Sequence, residues 1–320
     1  MVGKIQTMSV IKKKIKIDDT FYNLQIIRLV DNGAEAIRLI IPVFIMSDYA
    51  RDLLNTCLKS IQHFSNESEI EIWVVDNNSS YKYVNWLKSL QGINLVLNRS
   101  EPINKFWSWA TNHRSIKEKF GFNRGVQLRD ASYSNAIGLE LGRLSIPQDS
   151  KLIMTFHSDT IVTHPNWLEA FKSKLSDKIR ISAFRRDPIR VHAYHIAGLL
   201  TDYQLMLKLG ADFLPNMRNE RFPEKPVYDV GDNVTIKFEE NGYEGFHLPN
   251  TGLDETLIGI FPEGSVYNNM HSCDRCFNEN SEVVFVHMGR GAPKSSGKYN
   301  DKGKTYPNQW IEISRQILEG

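Results

Sequence analysis

Residues 37–45 form an almost continuous apolar run, and no other segment constrains the fold as strongly. Such runs are typical of strands that are buried on both faces, as in parallel sheets. Three shorter apolar segments follow at residues 70–75, 93–97 and 151–156. Between them, apolar residues recur at helical spacing, as they do across residues 49–64. Strands that alternate with helices predict an α/β fold with a wound, mostly parallel central sheet flanked by helices.

The second half of the chain has a less regular pattern. Short apolar segments at residues 179–184, 196–200 and 282–286 predict further strands. A helix is predicted to begin near Asp229 and to end at Asn241-Gly242. We therefore expect this half to be smaller and more irregular than the first.

The charge balance excludes several classes of protein. The chain has 320 residues, and 39 Lys and Arg against 37 Asp and Glu give a formal net charge of 39 − 37 = +2. A nucleic-acid-binding domain usually has a strongly basic face, so we expect no nucleic-acid partner. Three cysteines do not make a secreted disulfide framework, and no apolar run reaches the ~20 residues of a spanning helix. We expect a cytoplasmic protein without a transmembrane segment, while peripheral membrane contact stays open.

Polar residues cluster where three of the predicted strands end. The clusters are residues 42–44 with the turn that follows, Asp76 to Ser79, and His157 to Thr160. In open α/β sheets, ligands bind outside the carboxyl ends of the strands, near the point where the strand order reverses. The convergence of the three clusters therefore predicts a ligand site at this edge of the sheet.

Asp76 and Asp159 are the carboxylates of these clusters. Asp76 can accept hydrogen bonds from a nucleoside base or ribose, although a turn or helix cap is the more common role for a lone strand-end aspartate. Asp159 can supply an oxygen ligand to Mg²⁺ or Mn²⁺, ions that neutralise a diphosphate, and a helix cap is again the alternative. His157 and Ser158 are placed to face the same diphosphate.

A late histidine, His287, follows the last predicted strand. It can complete a Mn²⁺ site through an imidazole nitrogen, although a lone histidine is more often structural. Arg290 and the lysines of a glycine-rich tail come next and can fold over a phosphate-bearing ligand. Cys273 and Cys276 have a spacing compatible with zinc, but no second CxxC pair exists, so two free thiols are favoured.

These motifs together resemble those of family 2 glycosyltransferases, which have the GT-A fold. His157-Ser158-Asp159 stands where that family has its Asp-Xaa-Asp metal motif, with only the last aspartate retained. The match extends over about residues 37–292. The other matching segments are Leu39-Ile40-Ile41-Pro42-Val43-Phe44, Val74-Val75-Asp76-Asn77-Asn78-Ser79, Ser134-Asn135-Ala136-Ile137-Gly138, Tyr228-Asp229-Val230-Gly231-Asp232 and His287-Met288-Gly289-Arg290-Gly291.

The resemblance implies an enzyme that moves a sugar, with inversion, from a nucleoside-diphosphate sugar to the hydroxyl of a carbohydrate or lipid-linked glycan acceptor. It implies Mn²⁺ or Mg²⁺ as cofactor, with Asp159 and His287 as metal ligands. Asp229 is the first candidate for the catalytic base and Asp232 the second, with Asp254-Glu255 as a weaker pair. The implied contacts to the nucleotide sugar are Pro42, Val43, Asp76, Asn78, Asn135, His157, Ser158 and Arg290.

The same resemblance divides the chain into three parts. Residues 1–36 are predicted to form an N-terminal appendage, 37–292 the GT-A domain, and 293–320 a flexible loop with a C-terminal helix. Within the GT-A domain, residues 37–164 are the expected nucleotide-binding half and 165–292 the expected acceptor half.

Two other functions stay open. A nucleotidyltransferase shares the wound sheet and the metal, but it requires a glycine-rich phosphate loop after the first strand, and residues 44–50 contain no glycine. A catalytically inactive sugar-nucleotide-binding module fits the loss of the first aspartate from the metal motif, where His157 stands. Donor hydrolysis in the presence of Mn²⁺ distinguishes an enzyme from such a module.

Overall fold

A computed structural model describes residues 9–100, 124–188, 191–217, 221–270, 273–289 and 307–319, and the side chains in these segments except those of residues 124–131, 307 and 308. The strands in the described segments are β1 (Ser9–Ile17), β2 (Thr20–Arg28), β3 (Ile37–Val43), β4 (Ile70–Asn77), β5 (Ile93–Asn98), β6 (Leu152–Phe156), β7 (Thr160–Val162), β8 (Ile179–Ala183), β9 (Gly198–Asp202), β10 (Glu244–His247), β11 (Asp274–Phe277) and β12 (Val283–His287). The α-helices there are α1 (Asp48–Phe64), α2 (Tyr81–Ser89), α3 (Arg124–Arg143), α4 (Trp167–Lys172), α5 (Tyr203–Lys208), α6 (Asp232–Glu240) and α7 (Pro307–Glu319). Two 3₁₀ helices, Glu255–Ile260 and Val266–Asn269, lie between β10 and β11.

Nine strands form one sheet in the order β1-β2-β5-β4-β3-β6-β9-β8-β10. Its four central strands, β5, β4, β3 and β6, are parallel. The outer strands pair antiparallel, except that β10 is parallel to β8. This arrangement confirms the predicted α/β fold, in which helices flank a central sheet with a parallel core.

The central strands are buried on both faces, which explains the continuous apolar run. Leu39 and Ile41 of β3 lie in a hydrophobic core shared with α1 and α2. Ile40, between them, lies in a second core shared with α3 and α6. All three side chains are inaccessible to solvent, so the sheet is enclosed between two layers of helices, as parallel sheets usually are.

The order of the central strands reverses at β3. From β3 the chain proceeds through β4 to β5 on one side, and β6 then pairs with the other edge of β3. The carboxyl ends of β3 and β6 therefore flank the topological switch point, where open α/β sheets bind their ligands. Residues 44–50 and 157–159, which follow these two strands, border this crevice.

Two glycines let α3 lie close to the strands beside the crevice. A Cβ atom on Gly138 would lie 2.9 Å from the Pro42 Cβ, and one on Gly142 would lie 2.5 Å from the Ile40 Cγ2. Both distances are shorter than carbon atoms normally pack, so a larger residue would push the helix away. The close packing brings Asn135, three residues before Gly138, to the carboxyl edge of the sheet.

Residues 9–28 form a hairpin of β1 and β2 that continues the sheet beyond β5. Lys12, Lys13 and Lys14 lie exposed on β1, which is an edge strand. Lysines at such an edge hinder pairing with the edges of other molecules. The predicted N-terminal appendage thus contains two strands of the central sheet.

Three antiparallel strands form a second sheet in the order β11-β12-β7. Because β7 follows β6 after a short turn, the second sheet begins where a central strand ends. His287 of β12 is the direct partner of Thr160 in β7 on one side and of Asp274 in β11 on the other. This register brings the late histidine beside the residues that follow β6.

The C-terminal helix α7 packs against α1 and buries Trp310. The loop that precedes it, predicted from residue 293 onwards to be flexible, lies outside the described residues. None of the described helices has the length and apolar character that crossing a membrane requires.

Candidate metal and nucleotide site

Three side chains beyond the carboxyl end of β6 have a geometry that could hold a metal ion, and we call His157, Asp159 and His287 the metal group. His157 and Asp159 lie in the turn after β6, and His287 ends β12. One ligand atom from each residue lies within 4.8 Å of the other two. Among the described residues, no other set of three or more His, Cys, Asp or Glu side chains has such a geometry.

Backbone contacts hold this turn against the end of β12. The amide nitrogen and the Oγ1 of Thr160 donate to the His157 carbonyl, at 3.3 and 2.7 Å. The Met288 amide donates to the Asp159 carbonyl at 3.0 Å. Since Thr160 is also the strand partner of His287, the three members of the metal group are fixed by main-chain geometry.

The separations leave space for a cation among the three side chains. The His287 Nε2 lies 3.8 Å from the Asp159 Oδ2, and the His157 Nδ1 lies 3.9 Å from the Asp159 Oδ1. The His157 Nε2 lies 3.2 Å from the Asn135 Nδ2, so the α3 asparagine helps to fix the ring. Imidazole nitrogens and a carboxylate oxygen are ligands that Mn²⁺ and neighbouring transition metals accept, so the residues fit the predicted cation.

The protonation of the two histidines is shifted in opposite directions. Burial lowers the pKa of His157 to about 4; His287 adds to this effect and Asp159 opposes it. Burial also acts to lower the pKa of His287, but Asp159 and Asp274 outweigh it and raise that pKa above its usual value. At neutral pH His157 is therefore a neutral imidazole, which is the form that binds metals.

A second carboxylate, that of Asp274, contacts the metal group through the His287 Nδ1, whereas Asp159 lies nearest the Nε2 of the same ring. Its Oδ2 lies 3.2 Å from the His287 Nδ1, and Arg185 approaches its Oδ1 at 3.4 Å. Burial acts to raise the pKa of Asp274, but His287 and Arg185 hold it below its usual value. Nothing in the local sequence marks Asp274, because its contact depends on the pairing of two short strands.

A third histidine, His195, lies beside the metal group. Its ring centroid is 6.0 Å from that of His157 and 5.4 Å from that of His287. Its Nδ1 accepts a hydrogen bond from the Ala197 amide at 3.1 Å, so the neutral ring carries its proton on Nε2. His195 was not predicted as a site residue, because the only signal for it in the sequence is its place just before the apolar segment 196–200.

The second predicted cluster lies at the ends of β3 and β4. Asp76 is fully buried, and its two oxygens accept hydrogen bonds from the Ser79 amide (3.2 Å) and from Arg99 (3.3 Å). Burial raises the pKa of Asp76, although Ser79 and Arg99 oppose the increase. The carboxylate thus has the turn-stabilising role that is common for strand-end aspartates, and its contact with a nucleoside stays a prediction.

The other predicted contacts at these strand ends offer different groups to a ligand. Val43 is the strand partner of Asp76 and its side chain is buried, so its main chain is the part available. Pro42 is half-buried against α3. Asn78 is half-buried with a φ of +71°, a left-handed conformation that asparagine tolerates better than most residues.

An apolar rim, defined by Phe44, Met46 and Tyr81, borders the ends of β3 and β4. These side chains are 51%, 59% and 75% exposed, and the loops that carry them hydrogen-bond to each other. The Arg99 guanidinium lies 5.6 Å from the centre of the Tyr81 ring. Because nucleobases stack on aromatic and guanidinium planes, the rim suits a nucleoside. The apolar rim was not predicted, since the exposure of an apolar side chain cannot be inferred from its residue type alone.

Ser158 and Arg290 are the remaining residues that were predicted to contact the nucleotide sugar. Ser158 is half-buried in the turn between the first two members of the metal group. Arg290, predicted to bind phosphate, lies outside the described residues.

Asp229 and Asp232 lie at the start of α6, as predicted. Gly231, with a φ of +77°, occupies the N-cap position of α6, where aspartate is a common residue. Asp232 is buried, and its Oδ2 accepts a hydrogen bond from the Asp229 amide at 2.8 Å. Asp229 is half-buried, and its Oδ1 accepts from the Val230 amide at 2.8 Å. Asp229 is therefore the more accessible carboxylate.

Asp254, one of the weaker base candidates, caps a 3₁₀ helix, and the two cysteines of the CxxC pair lie in hydrophobic cores. Asp254 caps the 3₁₀ helix Glu255–Ile260 by accepting from the Thr256 amide at 3.0 Å. Cys273 and Cys276 are buried, form no disulfide and lie in two different hydrophobic cores. In the described part of the chain neither cysteine belongs to a set that could hold a metal ion.

Comparison with known proteins gives structural likenesses alone, because no protein-family model and no curated protein matches the chain. One similar structure is mannosyltransferase PcManGT from Pyrobaculum calidifontis in complex with GDP-Man and Mn²⁺ (15% identity, 67% of this chain and 54% of that chain, TM-score 0.43). Another is galactosyltransferase LgtC in complex with donor and acceptor sugar analogues (13% identity, 88% of this chain and 96% of that chain, TM-score 0.48). A third is 4-diphosphocytidyl-2C-methyl-D-erythritol synthase from Anaerococcus prevotii (13% identity, 67% of this chain and 88% of that chain, TM-score 0.37).

The chain thus spans about half the length of the mannosyltransferase that it resembles. All three TM-scores lie below 0.5. The function proposed for the protein therefore rests on the geometry of its own residues.

Proposed function

We propose that the protein is a metal-dependent glycosyltransferase of the GT-A type, which transfers a sugar from a nucleoside-diphosphate sugar to an acceptor hydroxyl. The observation that carries the proposal is the position of the metal group at the topological switch point, next to the carboxyl ends of β3 and β6. Open α/β sheets bind nucleotides in this crevice. His157, Asp159 and His287 have their ligand atoms within 4.8 Å of one another there.

The donor extends across two clusters in this proposal. Asp76 accepts hydrogen bonds from the base or ribose, and the apolar rim packs against the base. His157 and Ser158 face the diphosphate, with Asn135 holding the His157 ring, and Arg290 contributes a cation to the phosphates. When bound at the metal group, the divalent cation offsets charge on the departing nucleoside diphosphate.

We assign removal of the acceptor proton to Asp229. In a single displacement, the acceptor oxygen bonds to the anomeric carbon while the bond to the diphosphate oxygen breaks, and the hydroxyl proton passes to the carboxylate. The base must lie within hydrogen-bond reach of that hydroxyl. Asp229 is the more exposed of the two aspartates, whereas Asp232 holds the Asp229 backbone at 2.8 Å. This reaction inverts the anomeric centre.

Several finer features belong to the same proposal. Residues 37–164 form the nucleotide-binding half and residues 165–292 the acceptor half of a family 2 enzyme. The acceptor is a carbohydrate or a lipid-linked glycan, the cofactor is Mn²⁺ or Mg²⁺, and the location is cytoplasmic, with peripheral membrane contact where the acceptor is lipid-linked.

A donor screen tests the proposal. UDP-, GDP- and dTDP-sugars are first screened by thermal shift with Mn²⁺, and the stabilising donors are then assayed for release of nucleoside diphosphate. We expect at least one donor to stabilise the protein and to be hydrolysed or transferred, with no release after EDTA treatment. Binding without release would indicate an inactive module. Release of pyrophosphate from a nucleoside triphosphate and a sugar phosphate would indicate a nucleotidyltransferase.

A further inference from the structure

Asp274 and His287 form a buried pair behind the metal group. They are direct partners in the antiparallel pairing of β11 and β12, and each is 6% exposed. The Asp274 Oδ2 lies 3.2 Å from the His287 Nδ1, while the His287 Nε2 lies 3.8 Å from the Asp159 Oδ2. The two ring nitrogens thus face different carboxylates, one in the second sheet and one in the metal group.

The other side of the Asp274 carboxylate is also held. Arg185 contacts the Asp274 Oδ1 at 3.4 Å through Nη1, and through Nη2 it pairs with Asp187 at 2.9 Å. Since the guanidinium is planar and anchored by a second carboxylate, it fixes the orientation of Asp274. The carboxylate is therefore positioned from two directions, by a histidine and by an arginine.

The chain also leaves space for this carboxylate where any other residue would fill it. A Cβ atom on Gly252 would lie 1.7 Å from the Asp274 Oδ1. The Gly252 amide donates to the Asn250 Oδ1 at 3.1 Å, so the glycine is held in place by its own hydrogen bond. Glycine at this position therefore permits the arrangement of Asp274, Arg185 and His287.

We propose that Asp274 is the positioning residue of the metal group: it holds His287 in the tautomer and ring orientation that present the Nε2 lone pair to a cation. The Asp274 carboxylate accepts the Nδ1–H hydrogen bond, so in the neutral ring the proton resides on Nδ1 and Nε2 is free to ligate. Metal-binding histidines usually donate their second N–H in this way, which fixes the ring and increases ligand basicity.

One consequence concerns the choice of cation. With Nε2 of His287 and a nitrogen of His157 as ligands beside one carboxylate, the metal group has more nitrogen than oxygen donors. Mg²⁺ prefers an octahedral set of oxygens, whereas Mn²⁺, Co²⁺ and Zn²⁺ accept imidazole. Asp274 therefore favours binding of a transition-metal ion over Mg²⁺, because it keeps His287 available as a ligand.

The tautomer can be measured in the unaltered protein. Long-range ¹H–¹⁵N correlation spectra of the metal-free wild-type chain, at a pH where the ring is neutral, report which nitrogen of His287 carries the proton. We expect the Nδ1–H form. The Nε2–H form would overturn the proposal, and this measurement does not depend on any variant folding.

Metal affinity provides the second test. Mn²⁺ binding is titrated by electron paramagnetic resonance in wild type, Asp274→Asn and Asp187→Asn, with thermal unfolding recorded for each protein. We expect Asp274→Asn to weaken Mn²⁺ binding by roughly 10–100-fold, the usual effect of losing such a partner. Asp187→Asn reaches His287 only through Arg185 and Asp274, so we expect a clearly smaller loss of Mn²⁺ affinity than in Asp274→Asn. Equal affinity in wild type and folded Asp274→Asn, or equal losses in both variants, would contradict the proposal.

This inference rests on the metal group of the proposed function but not on sugar transfer. If no donor is hydrolysed while Asp274→Asn still weakens Mn²⁺ binding, the proposed function fails and the role of Asp274 stands. If a sugar is transferred from a donor and Asp274→Asn binds Mn²⁺ like wild type, the proposed function stands and the role of Asp274 fails.

Discussion

Gly231 packs directly against Ile196, because a Cβ atom on Gly231 would lie 2.0 Å from the Ile196 Cγ2. Ile196 follows His195, whose ring centroid lies 6.0 Å from that of His157. The contact therefore joins the start of α6, which carries the two candidate bases, to the metal group. Gly231 is constrained twice, by this contact and by its left-handed φ of +77°.

Replacement of Gly231 should show both constraints. Gly231→Ala combines backbone strain with overpacking against Ile196, so we expect a loss of about 2–4 kcal/mol in the free energy of unfolding. Gly242→Ala is the matched control: its φ is +80°, but no atom lies within 4 Å of the added Cβ, so strain alone should cost about 1 kcal/mol. Thermal unfolding of both variants measures the difference, at roughly 2 °C per kcal/mol. Equal shifts would show that the Ile196 contact relaxes without cost.

Removal of the carboxylate from the metal group should abolish metal-dependent transfer. Asp159 supplies the one carboxylate of the metal group, so in the proposed function Asp159→Ala should lose Mn²⁺-dependent release of nucleoside diphosphate while the fold is kept. Asp149→Asn, an exposed aspartate in the loop before β6, is the control. Near-normal activity of Asp159→Ala with Mn²⁺ would exclude Asp159 as a ligand.

Asp76 should affect binding of the donor more than the chemical step. In the proposed function it contacts the nucleoside, whose interactions are the same in the ground state and the transition state. Asp76→Ala should therefore raise the donor KM more than it lowers kcat. Arg99→Gln removes the partner at 3.3 Å but keeps the carboxylate, so a smaller KM increase is expected. Steady-state kinetics distinguish the two outcomes, and a change in kcat alone would argue against a nucleoside role.

The features that could be predicted from the sequence depend on short segments. Ile40 and its neighbours predict a strand buried on both faces, and Asp76 and Asp159 lie at or just beyond the carboxyl ends of apolar strands. Parallel strands end at the same edge of a sheet, so residues at their carboxyl ends converge whatever the loops do. This reasoning explains why the position of the ligand crevice follows from the apolar pattern.

The remaining features depend on contacts between distant segments. Asp274 reaches His287 through the register of two short strands, and His195 reaches the metal group from an irregular segment. Gly231 occupies the N-cap of α6, since only glycine has space against Ile196. A sequence pattern specifies periodicity but not strand pairing between remote segments, so these contacts were not predictable.

The histidine that replaces the first aspartate of the metal motif should determine which cations bind. His157→Asp changes the group from two nitrogens and one oxygen to one nitrogen and two oxygens. Because Mg²⁺ prefers oxygen ligands, we expect the ratio of Mn²⁺ to Mg²⁺ affinity to fall, by about tenfold. Isothermal titration with both ions measures the ratio, and His164→Asp, a half-buried histidine outside the metal group, is the control. An unchanged ratio in His157→Asp would mean that His157 does not ligate the cation.

The identity of the base is the last prediction, and it is tested with two variants, one at Asp229, which precedes α6, and one at Asp232, its first residue. Asp229 is half-buried and accessible to an acceptor, so Asp229→Asn should lower kcat by roughly 10²–10⁴-fold, the usual contribution of general base catalysis, with donor affinity nearly unchanged. Asp232 is buried, and its Oδ2 accepts a hydrogen bond from the Asp229 amide at 2.8 Å. Because an asparagine oxygen can accept the same hydrogen bond, Asp232→Asn should lose far less activity. Single-turnover transfer rates with saturating donor compare the two. If Asp232→Asn is the slower variant, the roles are exchanged; if both transfer at the wild-type rate, the base lies elsewhere, and Asp254 and Glu255, both exposed, are the next carboxylates to replace.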